Sequence, residues 1–275
     1  MSLNTNDIIN PVQIEHRYAI FSTYKNDVVF HRENINTPIF CGGVIKSISQ
    51  NVYNLKINEL IGYISCNQSP DLTLSANQIV KIANNNNEKL FAVLPYASYA
   101  MKILRHVNPS LNQIIAIVGI NFFSLLLERL IKLSGANVLL IDSENYSKSS
   151  FDFDNEVKKM NENIVNTIIF YSLSPKVNEF ISKINCNHKI DLSTTSLYDK
   201  GLDDDNYLKG VKYPYSYIRW DFKRNLEYFI QLIDKKRVKL DFFDIRVIKI
   251  SQLDELNPET NDFKENSLLL FKISI

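Results

Sequence analysis

A strand–helix–strand unit in the middle of the chain constrains the fold more than any other feature. Residues 113–119 read QIIAIVG, a nearly unbroken apolar run. A strand with one wet face would alternate apolar and polar residues, whereas an unbroken run suits a strand buried on both faces of a parallel sheet. Residues 120–123 read as a turn. Residues 124–136, SLLLERLIKLSGA, place apolar residues at helical spacing and carry Gly135 where a helix would close. Residues 137–141, NVLLI, form a second buried strand that ends at Asp142. The unit has the size of a right-handed βαβ crossover, about thirty residues.

In dinucleotide-binding units of this shape the first turn carries G-x-G-x-x-G. The first Gly makes the tight turn, the second admits the pyrophosphate and the third lets the helix lie close to the strand. Here positions 119–124 read Gly-Ile-Asn-Phe-Phe-Ser, so only Gly119 survives. Asn121 tolerates a positive φ, but its side chain occupies space that a phosphate needs. Ser124 is small enough for close helix packing. Asp142 follows Gly119 by about twenty residues, the spacing of the acid that binds the adenosine ribose. It favours NAD over NADP; alternatively it only ends a strand.

A third apolar strand spans 166–171. Tyr171 and Ser172 stand at its end, where a nicotinamide would lie, or they are ordinary strand-end residues. Arg219 sits among Tyr213, Tyr215, Tyr217 and Trp220. It suits contact with a carbonyl or anion, or simply stacking on the aromatics. The cofactor candidates are thus Gly119, Asn121, Ser124, Asp142 and Ser172, and the catalytic candidates Arg219 and Tyr171.

The first ninety or so residues read as mostly β, with strands at 18–24, 27–31, 43–48, 59–65 and 78–82 between turn-type clusters. Residues 92–107 place Leu94, Ala97, Met101 and Leu104 at helical spacing, and Asn108-Pro109 closes that helix. After the βαβ unit, 145–163 reads as loop with one short helix. A helix follows at 176–184, a strand at 189–192 and a solvated acidic loop at 202–209. A strongly amphipathic helix occupies 221–233, and strands lie at 242–250 and 267–275.

Composition excludes several classes. Thirty-one basic against thirty acidic residues give a net charge of +1, so no global field points to nucleic acid or an anionic membrane. The apolar runs are too short to span a bilayer. The opening MSLNTNDIINP lacks the basic and apolar regions of a signal peptide. Three scattered cysteines, Cys41, Cys66 and Cys186, fit a reducing, cytoplasmic compartment better than a disulfide framework. His16, His31, His106 and His188 are scattered as well. Only seven glycines occur where roughly twenty are usual. Codon drift explains that scarcity, and it is compatible with the loss of special backbone positions such as those of the fingerprint.

The order of segments resembles the medium-chain dehydrogenase/reductase family. Residues 41–61, CGGVIKSISQNVYNLKINELI, are similar to its glycine-rich strand and the turn beyond, with Asn58-Glu59 where Gly-Asp is usual. Residues 94–104 resemble its domain-crossing helix and 115–142 its first βαβ unit. Residues 213–233 and 248–256 resemble late segments of its sugar- and polyol-type members. The resemblance implies an α/β fold with a GroES-like β domain, 1–93 and 236–275, and a Rossmann-type parallel-sheet domain, 94–235, apparently reduced by a βα unit. It implies a homodimer and a small-molecule substrate. The family's zinc ligands should precede Gly43, where this chain reads Thr37-Pro38-Ile39-Phe40-Cys41, so no zinc is expected. Two readings follow. One is a zinc-independent NAD(P)-dependent oxidoreductase acting on a small carbonyl, polyol or sugar-derived compound. The other is a non-catalytic relative that serves as a partner subunit or binds another ligand.

Overall fold

The computed structural model describes residues 8–20, 39–65, 71–82, 88–120, 122–141, 158, 165–170, 189–192, 221–241, 244–249 and 267–272. The chain divides into two compact units. The first comprises Met1–Ser98, Tyr198–Lys236 and Phe243–Ile275; the second comprises Tyr99–Leu197 and Arg237–Phe242.

The first unit is built on a mainly antiparallel seven-stranded sheet. Its strands are β1 (Pro11–Ile20), β2 (Ile39–Ile48), β3 (Leu60–Ser65), β4 (Asp71–Ser75), β5 (Val80–Lys81), β10 (Asp244–Lys249) and β11 (Ser267–Lys272). They run β10-β11-β1-β2-β3-β5, with β4 paired to β1. The C-terminal strands therefore return to the N-terminal sheet, with β10 and β11 parallel to each other. Strand β1 starts at Pro11, earlier than the expected 18–24, because Val12 and Ile14 point inward while Gln13 and Arg17 face solvent. Strand β4 was not foreseen, and the expected strand 78–82 is shorter, β5 at Val80–Lys81, because Gln78 belongs to the 3-10 turn Ala76–Gln78. The expected segment 27–31 lies outside the described residues.

One face of β1, β2 and β3 encloses a core of Val12, Ile14, Cys41, Ile45, Ile61 and Tyr63, closed by Val52, Leu55, Ala76 and Ile79. The other face is cut away by glycine. Gly42 and Gly62 stand directly opposite each other in β2 and β3, and their missing side chains leave a depression in the sheet. Helix α1 (Glu88–Val107) settles into it: a Cβ on Gly42 would meet the Phe91 ring at 2.7 Å. One on Gly62 would meet the Phe40 ring at 2.6 Å and Leu94 at 3.5 Å. Gly43 serves the opposite face, where a Cβ would lie 2.5 Å from the Glu15 carbonyl oxygen of β1.

Helix α3 (Phe222–Asp234) falls in the first unit. Its apolar stripe is satisfied on the β side. The Phe222 and Phe40 rings lie 6.0 Å apart, and Lys223 Nζ donates to the Ala76 carbonyl at 2.9 Å. That carbonyl lies in a turn already fixed by a capping box between Ser75 and Gln78. Helical periodicity announces that a face will be buried, but not which sheet buries it.

The second unit carries a four-stranded, all-parallel sheet in the order β7-β6-β8-β9. Its strands are β6 (Ile114–Val118), β7 (Asn137–Ile141), β8 (Thr167–Phe170) and β9 (Lys189–Leu192), and α2 (Phe122–Lys132) joins β6 to β7. Residues 115–118 of β6 are buried, as the unbroken apolar run requires. Asn166 secures its start, accepting from the Ile114 N–H at 2.8 Å through its side chain and donating its own N–H to the Ile114 carbonyl at 2.8 Å. Gly135, at φ +82°, ends the α2 turn as foreseen. Among the described residues this sheet has four strands; 142–157 and 159–164, where a further βα unit would fall, lie outside them.

Two predictions follow from the first unit. Replacing Gly43 by Ala forces a methyl against the backbone of β1 and should cost about 2–3 kcal/mol in urea unfolding. Gly62→Ala meets a side-chain ring that can yield, and should cost about 1 kcal/mol or less. Equal losses would contradict this packing. The second concerns Tyr63, which is fully buried; burial first, and the neighbouring Cys41 thiol second, push its phenol far above the ordinary value. The unfolded chain ionises this tyrosine near pH 10 and the folded chain does not, so its stabilising contribution is complete below about pH 10 and declines above it. Tyr63→Phe should lose stability less steeply between pH 9 and 11; an unchanged slope would contradict burial of the phenol.

Candidate dinucleotide-type turn

The carboxyl ends of the parallel strands form one row. Val118 of β6 pairs with Ile141 of β7 on one side and Phe170 of β8 on the other, and Phe170 pairs with Leu192 of β9. Strand order reverses at this row: the chain goes from β6 outward to β7, then returns to the opposite side of β6 for β8. Open parallel sheets bind ligands in the crevice outside such a switch point.

Gly119 leaves β6 at this row with φ +113°, a conformation that a side chain would strain. Its N–H donates to the Ile141 carbonyl at 2.8 Å, tying the turn to the end of β7. Of the fingerprint residues, Gly119 therefore keeps the backbone conformation for which the first glycine is needed.

Helix α2 begins at Phe122, two residues before the expected start, so Phe122 and Phe123 are helical rather than part of the turn. Both side chains are turned into the interior, 4% and 2% exposed. Burial of two large rings compensates for extending the helix with residues of modest helix propensity. The Phe123 ring lies 5.1 Å from that of Tyr99 on α1, with the planes inclined by 32°. Ser124 is fully buried, in the place where the third glycine would permit close packing.

The first turn of α2 contains no acidic residue. The positive end of its dipole thus faces no carboxylate within that turn. Basic residues lie at the opposite end, where Lys132 pairs with Glu128 at 2.6 Å and Arg129 with Asp241 at 3.1 Å. An anion the size of a phosphate suits the amino end electrostatically.

The remaining candidates, Asn121, Asp142, Tyr171, Ser172 and Arg219, lie outside the described residues. In sequence, Asp142 follows Ile141 and Tyr171 follows Phe170, both members of the strand-end row. The structure adds Tyr99, which the sequence reading omitted from the buried face of its helix. The signal was present in its position one turn beyond Pro95, but a tyrosine between apolar positions reads equally well as a surface residue.

For a metal, the described residues provide no group of three His, Cys, Asp or Glu side chains. Cys41, nearest to where a zinc ligand is expected, is fully buried in the core of the β unit beside Tyr63. Among the described residues no helix is long and apolar enough to cross a membrane.

No family model matches the chain, and no curated protein is similar to it in sequence. Solved structures are similar in fold. An alcohol dehydrogenase superfamily protein from Novosphingobium aromaticivorans superposes with a TM-score of 0.68 at 9% identity, covering 100% of this chain and 95% of the other. Galactitol-1-phosphate dehydrogenase from Escherichia coli gives 0.64 at 10% identity, covering 95% and 92%. Quinone oxidoreductase from Escherichia coli, complexed with NADPH, gives 0.62 at 12% identity, covering 96% and 92%.

Replacing Gly119 by Ala should destabilise the protein by about 1–3 kcal/mol through backbone strain alone. Ile120→Ala, at a partly exposed neighbour, should change urea stability by less than about 0.5 kcal/mol. A harmless Gly119→Ala would contradict the positive φ. With its antiparallel sheet joined by C-terminal strands, and its parallel sheet reversing at β6, the chain has the fold of the medium-chain dehydrogenase/reductases, a GroES-like β unit and a Rossmann-type unit.

Proposed function

We propose that the protein is a zinc-independent NAD(P)-dependent oxidoreductase of the medium-chain type, acting on a small carbonyl, polyol or sugar-derived substrate. The observation that carries this reading is the positive-φ Gly119 at the strand-order reversal, followed directly by a helix whose first turn carries no acid. That combination suits the receipt of a pyrophosphate. The names of similar structures, a quinone oxidoreductase with NADPH and a galactitol-1-phosphate dehydrogenase, support the same general chemistry.

In this reading the turn at Gly119, Asn121 and Ser124 receives the pyrophosphate, with backbone N–H groups supplying most of the attraction. Asp142 accepts from the adenosine ribose hydroxyls and favours NAD over NADP. Ser172 contributes beside the nicotinamide. The bound nicotinamide supplies or accepts the hydride. Arg219 and Tyr171 are the candidates to hold the substrate oxygen as charge develops on it, which some donor must do where no zinc takes part. A cytoplasmic homodimer completes the proposal.

A second reading has its own support. Asn121 at the second position and the adjacent pair Phe122-Phe123 depart from the fingerprint, which favours a non-catalytic subunit or a module for another ligand.

Titration with NADH and NADPH separates the two readings. At a hundredfold its dissociation constant a nucleotide should stabilise the fold by about 2.7 kcal/mol, raising Tm by roughly 5–10 °C. Asn121→Gly should tighten binding if the side chain merely crowds the site. No Tm change with either nucleotide at millimolar concentration would overturn the oxidoreductase reading.

A further inference from the structure

The outer edge of β7 presents backbone groups that no described strand pairs. Strand residues turn their N–H and C=O groups alternately to either side. Asn137 donates to the Gln113 carbonyl at 2.7 Å and Ile141 accepts from the Gly119 N–H at 2.8 Å, so residues 137, 139 and 141 face β6. Val138 and Leu140 therefore turn their N–H and C=O groups away from β6, and among the described residues β7 pairs with no other strand. The strand carries none of the features that keep edges apart: no charge, no proline and no shift of register. Val138, Leu139 and Leu140 are half-buried, where a covered parallel strand would be fully buried. Chain length bars a cover by a further parallel strand. Such a strand would need two crossovers of about a dozen residues each besides itself, and residues 142–166, from β7 to β8, do not supply them. Two exposed leucines adjoin the strand's amino end. Leu111, 81% exposed, lies against Gly135, and Leu133, 45% exposed, precedes that glycine.

We propose that this edge pairs antiparallel with the same edge of a second copy of the chain, joining two parallel sheets across a two-fold axis. The outward groups select the register. With Leu139 opposite Leu139 of the partner subunit, Val138 lies opposite Leu140 of the partner subunit and exchanges both hydrogen bonds with it. Leu140 does the same with the partner's Val138. Every outward N–H and C=O of the two paired residues is then used, and apolar side chains meet along the seam. The edge is self-complementary, as a two-fold dimer requires. A stable dimer covers about 800 Å² per partner, more than the strand alone supplies, and Leu111 and Leu133 extend the apolar surface at its end. The inference names the interface of the homodimer proposed above and is independent of nucleotide binding.

Sedimentation equilibrium of the full chain at micromolar concentration should give twice its 31.8 kDa. Val138→Pro removes an outward donor, which an edge strand tolerates because no bond to β6 is lost. This variant should sediment as a monomer with an unchanged circular dichroism spectrum. Leu139→Cys tests the register. The two Cβ atoms would stand about 4.5–5.5 Å apart across the axis, close to disulfide reach. Mild oxidation should then give a reducible covalent dimer that the parent, with its native cysteines, does not form. If Val138→Pro does not fold, the cross-link decides. A monomeric parent overturns the inference, as does a dimeric Val138→Pro variant or a Leu139→Cys variant that cross-links no more than the parent. Nucleotide titration tests the dinucleotide reading separately, so either can fail while the other stands.

Discussion

Parallel pairing of β6 on both sides is the constraint from which the second unit follows. A strand hydrogen-bonded to β7 and β8 cannot leave the sheet sideways; it must exit over its carboxyl end. Because β6 is buried, the helix that follows has to fold back closely over it. The turn between them is therefore short and tight, and the backbone needs positive φ at its first residue. Gly119 meets that need. The reversal of strand order at the same point places the ends of β7 and β8 on either side. A fold of this kind builds its crevice as a by-product of its topology, and the residues at the turn decide what the crevice accepts.

Close approach shapes the first unit as well, through different glycines. The chain has few glycines, yet three of them, Gly42, Gly43 and Gly62, lie within one pair of strands. Two admit rings from above and the third admits the neighbouring backbone. Each stands where a Cβ would meet a neighbour at 2.7 Å or less. In the β6–α2 turn, by contrast, the second and third positions of the fingerprint hold Asn121 and Ser124. Ser124 is accommodated by the helix packing, fully buried as it is.

How much was legible in the sequence varied with the physics of each element. Strand β6 was plain because burial on both faces leaves an unbroken apolar run, whereas β7, equally apolar in sequence, is an edge strand of which only Ile141 is fully buried. Helix α3 was plain because Asp221 caps it, accepting from the Arg224 N–H at 2.8 Å, and its apolar face recurs with helical period. Its place in the β unit was not, since that depends on Phe40 and Ala76, far away in sequence. Strand β1 was mis-set because only Val12 and Ile14 mark its inward face, among polar neighbours. The start of α2 was missed because two adjacent phenylalanines suggest a turn filled by aromatics, whereas their burial pulls the helix back to Phe122. At the site, Gly119 was recognisable from its position after an apolar strand. The contact of Tyr99 with Phe123 was not, since it arises only when α1 meets α2.

The central claim is that the β6–α2 turn is an anion-receiving edge of a dinucleotide site. Amide hydrogen exchange across this turn, with and without saturating NADH or NADPH, tests it most directly. The account predicts slowed exchange in the peptide spanning residues 119–125, with little change in the β2–β3 strands of the first unit. Unchanged exchange at the turn under conditions where the nucleotide is shown to bind would contradict it.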